Sequence, residues 1–206
     1  GNVNAVAWSP SLGILVAVGE NSQISSSPDG LTWTQRAFPV GTDSTFAMCV
    51  EWSPELGIFV AGLFDGTTKM MTSTDGITWT HAGQNASLIT GNVDRIAYSP
   101  EINTFVVFKS GTASTTPFFY STDGFTWTKN TALSGSMAPT GLGAWSSKLG
   151  KFCVMHSNLT ESATSSDGIV WTKHTTGLSS VTHISGVIWN SIYEIFMTVS
   201  FASSSG

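Results

Sequence analysis

Eight residues recur four times along a chain of 206: "SPDGLTWT" from residue 27, "STDGITWT" from 73, "STDGFTWT" from 121 and "SSDGIVWT" from 165. Ser, Asp, Gly and Trp persist while the rest drifts. The Asp-Gly pairs fall at 29, 75, 123 and 167, spaced by 46, 48 and 44 residues. Catalysis seldom needs four copies of one site, whereas a repeated fold needs the same turn in every unit. The repeat therefore speaks first about architecture.

A second anchor accompanies the first: "AVAWSP", "CVEWSP", "RIAYSP", "LGAWSS" and "GVIWNS", with the aromatic at Trp8, Trp52, Tyr98, Trp145 and Trp189. Each is followed by an apolar run such as "GILVAVG" or "GIFVAGL", and then by two further segments that meet at the Asp-Gly-Trp turn. Four short strands per unit and no helical periodicity indicate an all-β chain. Units of about 45 residues holding four strands are the blade of a β-propeller. The expected fold is one propeller domain over residues 1–206, with repeats at about 1–44, 45–90, 91–137, 138–181 and an incomplete 182–206. All eight Trp occupy one of the two anchor slots, which reads as inter-blade packing.

The turn has a physical explanation. Gly30, Gly76, Gly124 and Gly168 can take a positive φ at a hairpin tip, and Asp29, Asp75, Asp123 and Asp167 can accept backbone N–H groups across it. Trp33, Trp79, Trp127 and Trp171 then fold under the turn from the outgoing strand. The role is structural. A calcium loop needs several carboxylates close together, and each turn offers one.

These turns resemble the Asp-box repeat, also called the bacterial neuraminidase repeat, whose usual form is S-x-D-x-G-x-T-W. Here Gly follows Asp directly in all four copies, so the turn is one residue shorter. The resemblance implies a propeller more firmly than an activity, because proteins carrying the repeat include sialidases, sortilin-type receptors, photosystem assembly factors and phage or bacterial surface proteins. Sialidases of that family grip a carboxylate with three arginines, and this chain has two, Arg36 and Arg95.

Other chemistry is sparse. Outside the turns the nine acids are dispersed without an evident glycosidase pair. No His-x-His or His-Glu-x-x-His spacing suggests zinc, no Gly-x-Ser-x-Gly elbow suggests a hydrolase, and no cofactor or metal is expected. Cys49 and Cys153, at non-equivalent positions, read as buried free thiols. With a formal net charge of -5 and eight scattered Lys and Arg, nucleic acid is not an expected partner. No apolar run reaches the roughly 18 residues a membrane-spanning helix needs. Charged residues make up only 10% of the chain, and the resulting coat of Ser, Thr, Gly and Asn suggests an extracellular or virion-associated setting. Sequons stand at Asn85 and Asn158.

In a four-stranded meander the turns joining strands one to two and three to four share a face, here the monotonous "SPELG" and "SxDG" types. The opposite face collects the variable loops and blade linkers, where binding on a rigid scaffold usually resides. Its candidates are Phe64, Asp65, Lys69, Lys109, Phe118, His156, Asn158 and Glu161, with Asp43, Phe46 and Asp94 on linkers. The expected function is non-enzymatic recognition of a glycan or protein surface. The alternatives are a glycosidase of the Asp-box propeller kind, with two acids meeting at the channel mouth, and an assembly scaffold.

Five first-strand anchors against four Asp-Gly turns predict four complete blades and a fifth with its two inner strands only. The second of these, from about Glu194 to Ser200, becomes an open apolar edge. Such an edge calls for a cover, from self-association or from a C-terminal segment beyond this chain.

Overall fold

Alternation within the short apolar runs puts successive side chains on opposite faces of a sheet, so each sheet needs a neighbour on both sides. The computed structural model describes residues 1–64, 67–83, 89, 91–109, 118–131, 133, 139–156, 159–178 and 183–201. Among these, no helix forms and 18 strands do. The first blade holds β1 (Val3–Ser9), β2 (Ile14–Gly19), β3 (Ile24–Ser27) and β4 (Thr34–Arg36). The second holds β5 (Ala47–Ser53), β6 (Ile58–Leu63), β7 (Met70–Ser73) and β8 (Thr80–His81). The third comprises β9 (Arg95–Ser99), β10 (Thr104–Phe108), β11 (Phe118–Ser121) and β12 (Thr128–Asn130). The fourth comprises β13 (Pro139–Ser146), β14 (Lys151–His156), β15 (Glu161–Ser165) and β16 (Thr172–Thr175). Only β17 (His183–Asn190) and β18 (Ile195–Phe201) form the fifth sheet. Every sheet is an antiparallel meander in chain order, which makes the molecule a β-propeller.

The first-strand aromatics occupy one register. Trp8 pairs with Leu15, Trp52 with Phe59, Tyr98 with Phe105, Trp145 with Phe152 and Trp189 with Phe196. Four apolar cores follow, one at each junction between successive blades. At the first, Ala7, Val16 and Val18 of blade 1 cover Trp52, Phe59, Met71 and Trp79 of blade 2. Ile58, Val60 and Met70 leave the other side of blade 2 and meet Tyr98, Phe105, Phe119 and Trp127. The pattern continues into blade 4 and then blade 5. At the first three junctions an apolar face of one blade packs on the Trp-bearing face of the next, and at the fourth Cys153, Met155 and Leu159 of blade 4 meet Val187 and Phe196 of blade 5. Among the described residues no blade packs on the Trp-bearing face of blade 1, and Trp8 is 46% exposed where Trp52 is 7%.

All four Asp turns make the same main contacts, at 2.6–2.9 Å. Ser27 Oγ donates to Asp29 Oδ1 at 2.9 Å and accepts the Gly30 amide at 2.9 Å, while Asp29 Oδ1 accepts the amides of Leu31 and Thr32 at 2.8 Å. The Ser73, Ser121 and Ser165 turns repeat this network. Gly30, Gly76, Gly124 and Gly168 all have φ between 69 and 76°, the left-handed conformation in which a side chain would be strained. The carboxylates titrate low as a result. The amides of Thr32 and Leu31 hold Asp29 at about 2. At Asp75, Asp123 and Asp167 partial burial pushes upward and is the largest single contribution, yet the amide and Ser donors together outweigh it and the net shift is downward. The indole N–H of Trp33 and of Trp171 donates to the carbonyl of its own turn Gly at 3.1 Å. Those of Trp79 and Trp127 are buried without an acceptor, a difference for which the turn geometry gives no reason.

Candidate ligand-binding site

The five inner strands β1, β5, β9, β13 and β17 surround an axial cavity of about 450 Å³. Four of them carry an irregular register at the end where the blade linkers enter, which sets the shape of the mouth on the variable-loop side. Among the described residues the lining side chains are uncharged apart from Glu51 and Arg95. Both are exceptions to the repeat. Positions equivalent to Glu51 hold Ala7, Ala97, Ala144 and Ile188, and those equivalent to Arg95 hold Ala5, Cys49, Leu142 and Gly186.

Arg95 opens β9 and so stands near the mouth; Glu51, fifth in β5, lies deeper. They are not joined as an ion pair within 4.0 Å. Burial pushes the Glu51 carboxyl up to about 7, with Arg95 and the Trp52 amide only partly opposing it. The side chain is half-buried in the cavity wall. Near neutral pH it is therefore poised between proton donor and acceptor. Cys49, a free buried thiol beside it, is pushed up to about 12 by burial and is unreactive as a nucleophile; Cys153 behaves likewise.

Of the loop-face candidates, Phe46 and Phe64 come together: their rings are 6.4 Å apart, and the Phe64 amide donates to the Phe46 carbonyl. Asp43 beside them is a clasp. Its carboxylate accepts the Thr67 amide at 2.6 Å, the Thr67 hydroxyl at 2.7 Å and the Thr68 amide at 3.1 Å, which drives its pKa far below the usual range. Asp94 is partly buried next to Arg95, and its amide donates to Phe108. His156 ends β14, and Glu161 opens β15 in an ion pair with Lys173 at 2.9 Å. These two lie on blade 4, apart from the blade 2 cluster. Asp65 and Asn158 lie outside the described residues, as does the Asn85 sequon.

Three candidates are corrected. Phe118 is buried between Phe108 and Trp171, with ring centroids at 5.5 and 5.0 Å, because it is the first residue of β11 and points into the core between blades 3 and 4. Lys69 and Lys109 are also buried, at 7% and 4% exposure. Lys109 lies over the Phe119 ring at 5.6 Å, and its pKa is lowered first by burial and then by Lys69, against the pull of Asp94. These two cations are packed beside the ends of β7 and β10. Variability marked their segments as loops, but burial is decided by side-chain direction at the strand ends. Glu51 and Arg95 stand outside the loop-face candidates because they lie on separate first strands and no second acid accompanies Glu51 among the described lining residues. Comparing the five first-strand anchors position by position would have found both.

No family model matches the sequence and no curated protein does. Solved β-propellers do resemble the fold. A chain in a nidogen–laminin complex superposes with a TM-score of 0.70 at 9% identity, over 96% of this chain and 72% of its own length. YCF48 bound to a D1 peptide gives 0.62 at 15% identity, over 89% of this chain and 57% of its own. The GH74 enzyme of Niastella koreensis gives 0.60 at 18% identity, over 96% of this chain but 30% of its own. The chain thus spans little more than half of the second and under a third of the third.

Proposed function

We propose that this chain is a non-enzymatic β-propeller binding module of the Asp-box kind, acting outside cells or on virions and recognising a glycan or protein surface through the variable-loop face. The observation that carries this reading is the break in the repeat at Glu51 and Arg95, the two charged side chains among the described residues of the cavity lining, on a propeller whose variable-loop face also carries the aromatic pair of half-buried Phe46 and exposed Phe64. A guanidinium and a carboxyl held apart on an otherwise uncharged wall offer an anionic and a hydrogen-bonding group of a ligand separate places to bind. A single carboxylate on that wall supports binding over glycoside hydrolysis, which needs two. Two of the similar folds were solved with protein or peptide partners.

Glycan and peptide arrays probed with the purified chain, together with a turnover assay on aryl glycosides and polysaccharides, test the proposal. It expects saturable binding and no turnover. Hydrolysis of any glycoside, or silence on both arrays, would overturn it.

A further inference from the structure

On the opposite face, the residue following each Asp-Gly pair is apolar and turned to solvent. Leu31, Ile77, Phe125 and Ile169 are 87, 44, 39 and 43% exposed. The turns joining first and second strands add a second row, with Leu12, Ile102 and Leu149 exposed to between 40 and 48% and Ile192 to 83%. Only Leu56 in that row is packed against the core. The rows adjoin. Gly76 rests on Ile14 and Val16, Gly124 on Ile58 and Val60, and Gly168 on Val106 and Thr104, which seats these three Asp turns beside the first turn of the preceding blade.

Scattered exposed Leu residues need no explanation, but one register kept apolar in four turns does. The turn does not require it. The residue after Gly gives the network only its amide, at 2.7–2.8 Å from the Asp oxygen, and any residue but Pro has one. Ser or Thr, which coat the rest of the chain, would serve the turn equally well.

The charge on this face is one-sided. Its turns contain the four Asp carboxylates, held ionised by their amides, and Glu55, Glu101 and Glu194, against two cations at the blade 4 turn, Lys148, itself paired with Glu194, and Lys151, which opens β14. Like charge opposes both a second copy of the chain and an anionic bilayer here. We propose that the turn face is a second interaction surface whose partner is a protein segment presenting apolar side chains rimmed by Lys and Arg. Apolar anchors repeated around the ring, each with an acid beside it, would engage such a segment at several points at once. The proposal is independent of the variable-loop reading.

A designed 18-residue Leu/Lys amphipathic peptide is the probe, with a Leu/Glu peptide and phosphatidylcholine vesicles, with and without phosphatidylserine, as rivals. Titration followed by fluorescence anisotropy compares the wild type with a variant carrying Leu31→Ser, Ile77→Ser, Phe125→Ser and Ile169→Ser, a second carrying Leu12→Ser and Leu149→Ser, and a Phe64→Ser control on the other face. All altered residues are partly or largely exposed, so folding survives. The Leu/Lys peptide binds the wild type, binds the fourfold variant roughly tenfold or more weakly and the double variant detectably more weakly, and binds Phe64→Ser unchanged. Equal affinity for the wild type and both turn variants, binding of the Leu/Glu peptide or vesicles, or no binding of the Leu/Lys peptide overturns the proposal.

Discussion

Two Trp residues in the same slot of the repeat should differ in what they contribute. Trp127 is 1% exposed in the core between blades 2 and 3, while Trp33 is 40% exposed on the open face of blade 1. A Trp side chain can remove up to about 250 Å² from water, so the difference in burial is about 100 Å², or about 2.5 kcal/mol at ~25 cal/mol per Å². Replacing Trp127 by Ala should cost about 3–5 kcal/mol through lost burial and a cavity. Trp33→Ala should cost about 1–2.5 kcal/mol, which includes the hydrogen bond to Gly30 that Trp127 has no counterpart for. Urea unfolding followed by far-ultraviolet circular dichroism measures both. Equal losses, or a larger one for Trp33, would mean that the face of blade 1 is covered in solution and that its exposure was misread.

Other outcomes follow from single groups. Glu51 has a folded pKa of about 7, above its unfolded value, so the folded state holds the extra proton and stability falls as pH rises from about 4.5 to 7. Glu51→Gln should remove that slope and be the more stable protein at pH 8 but not at pH 4.5, read as paired melting curves; parallel curves would contradict it. The turn aspartates act in the opposite sense, since their lowered pKa values stabilise above the unfolded value of about 4 and that contribution is lost as pH falls below it. Asp123→Ala should cost roughly 1–2 kcal/mol at pH 7 and become milder at low pH, measured by urea unfolding. A Cβ on Gly143 would meet the Phe108 ring at 2.5–2.7 Å, so Gly143→Ala should destabilise by about 1–3 kcal/mol in the same assay. Asp43→Asn should loosen the Thr67 clasp and speed proteolysis near residues 64–69, while global melting moves little.

The turn and the five-fold register were legible because each depends on residues whose physics is local: a glycine at positive φ, a carboxylate over two amides, an aromatic opposite an apolar neighbour. The two-stranded fifth sheet could be counted from the anchors, and β18 pairs only with β17 among the described residues. Sites were less legible. Phe118, Lys69 and Lys109 flank variable segments yet point inward, a matter of strand phase that composition does not reveal. Glu51 and Arg95 come together only when separate repeats are wrapped around an axis. Leu31 and its equivalents look like strand residues in the sequence, and only the left-handed glycine before each one turns it out to solvent.

Isothermal titration of the strongest array ligand against the wild type, Arg95→Gln and Phe64→Ser tests most directly whether recognition resides where the repeat is broken. At least a roughly tenfold loss of affinity in each variant, with unchanged melting temperature, is expected if that ligand sits over the channel mouth. Unchanged affinity in both variants would contradict it and would place the site elsewhere on the ring.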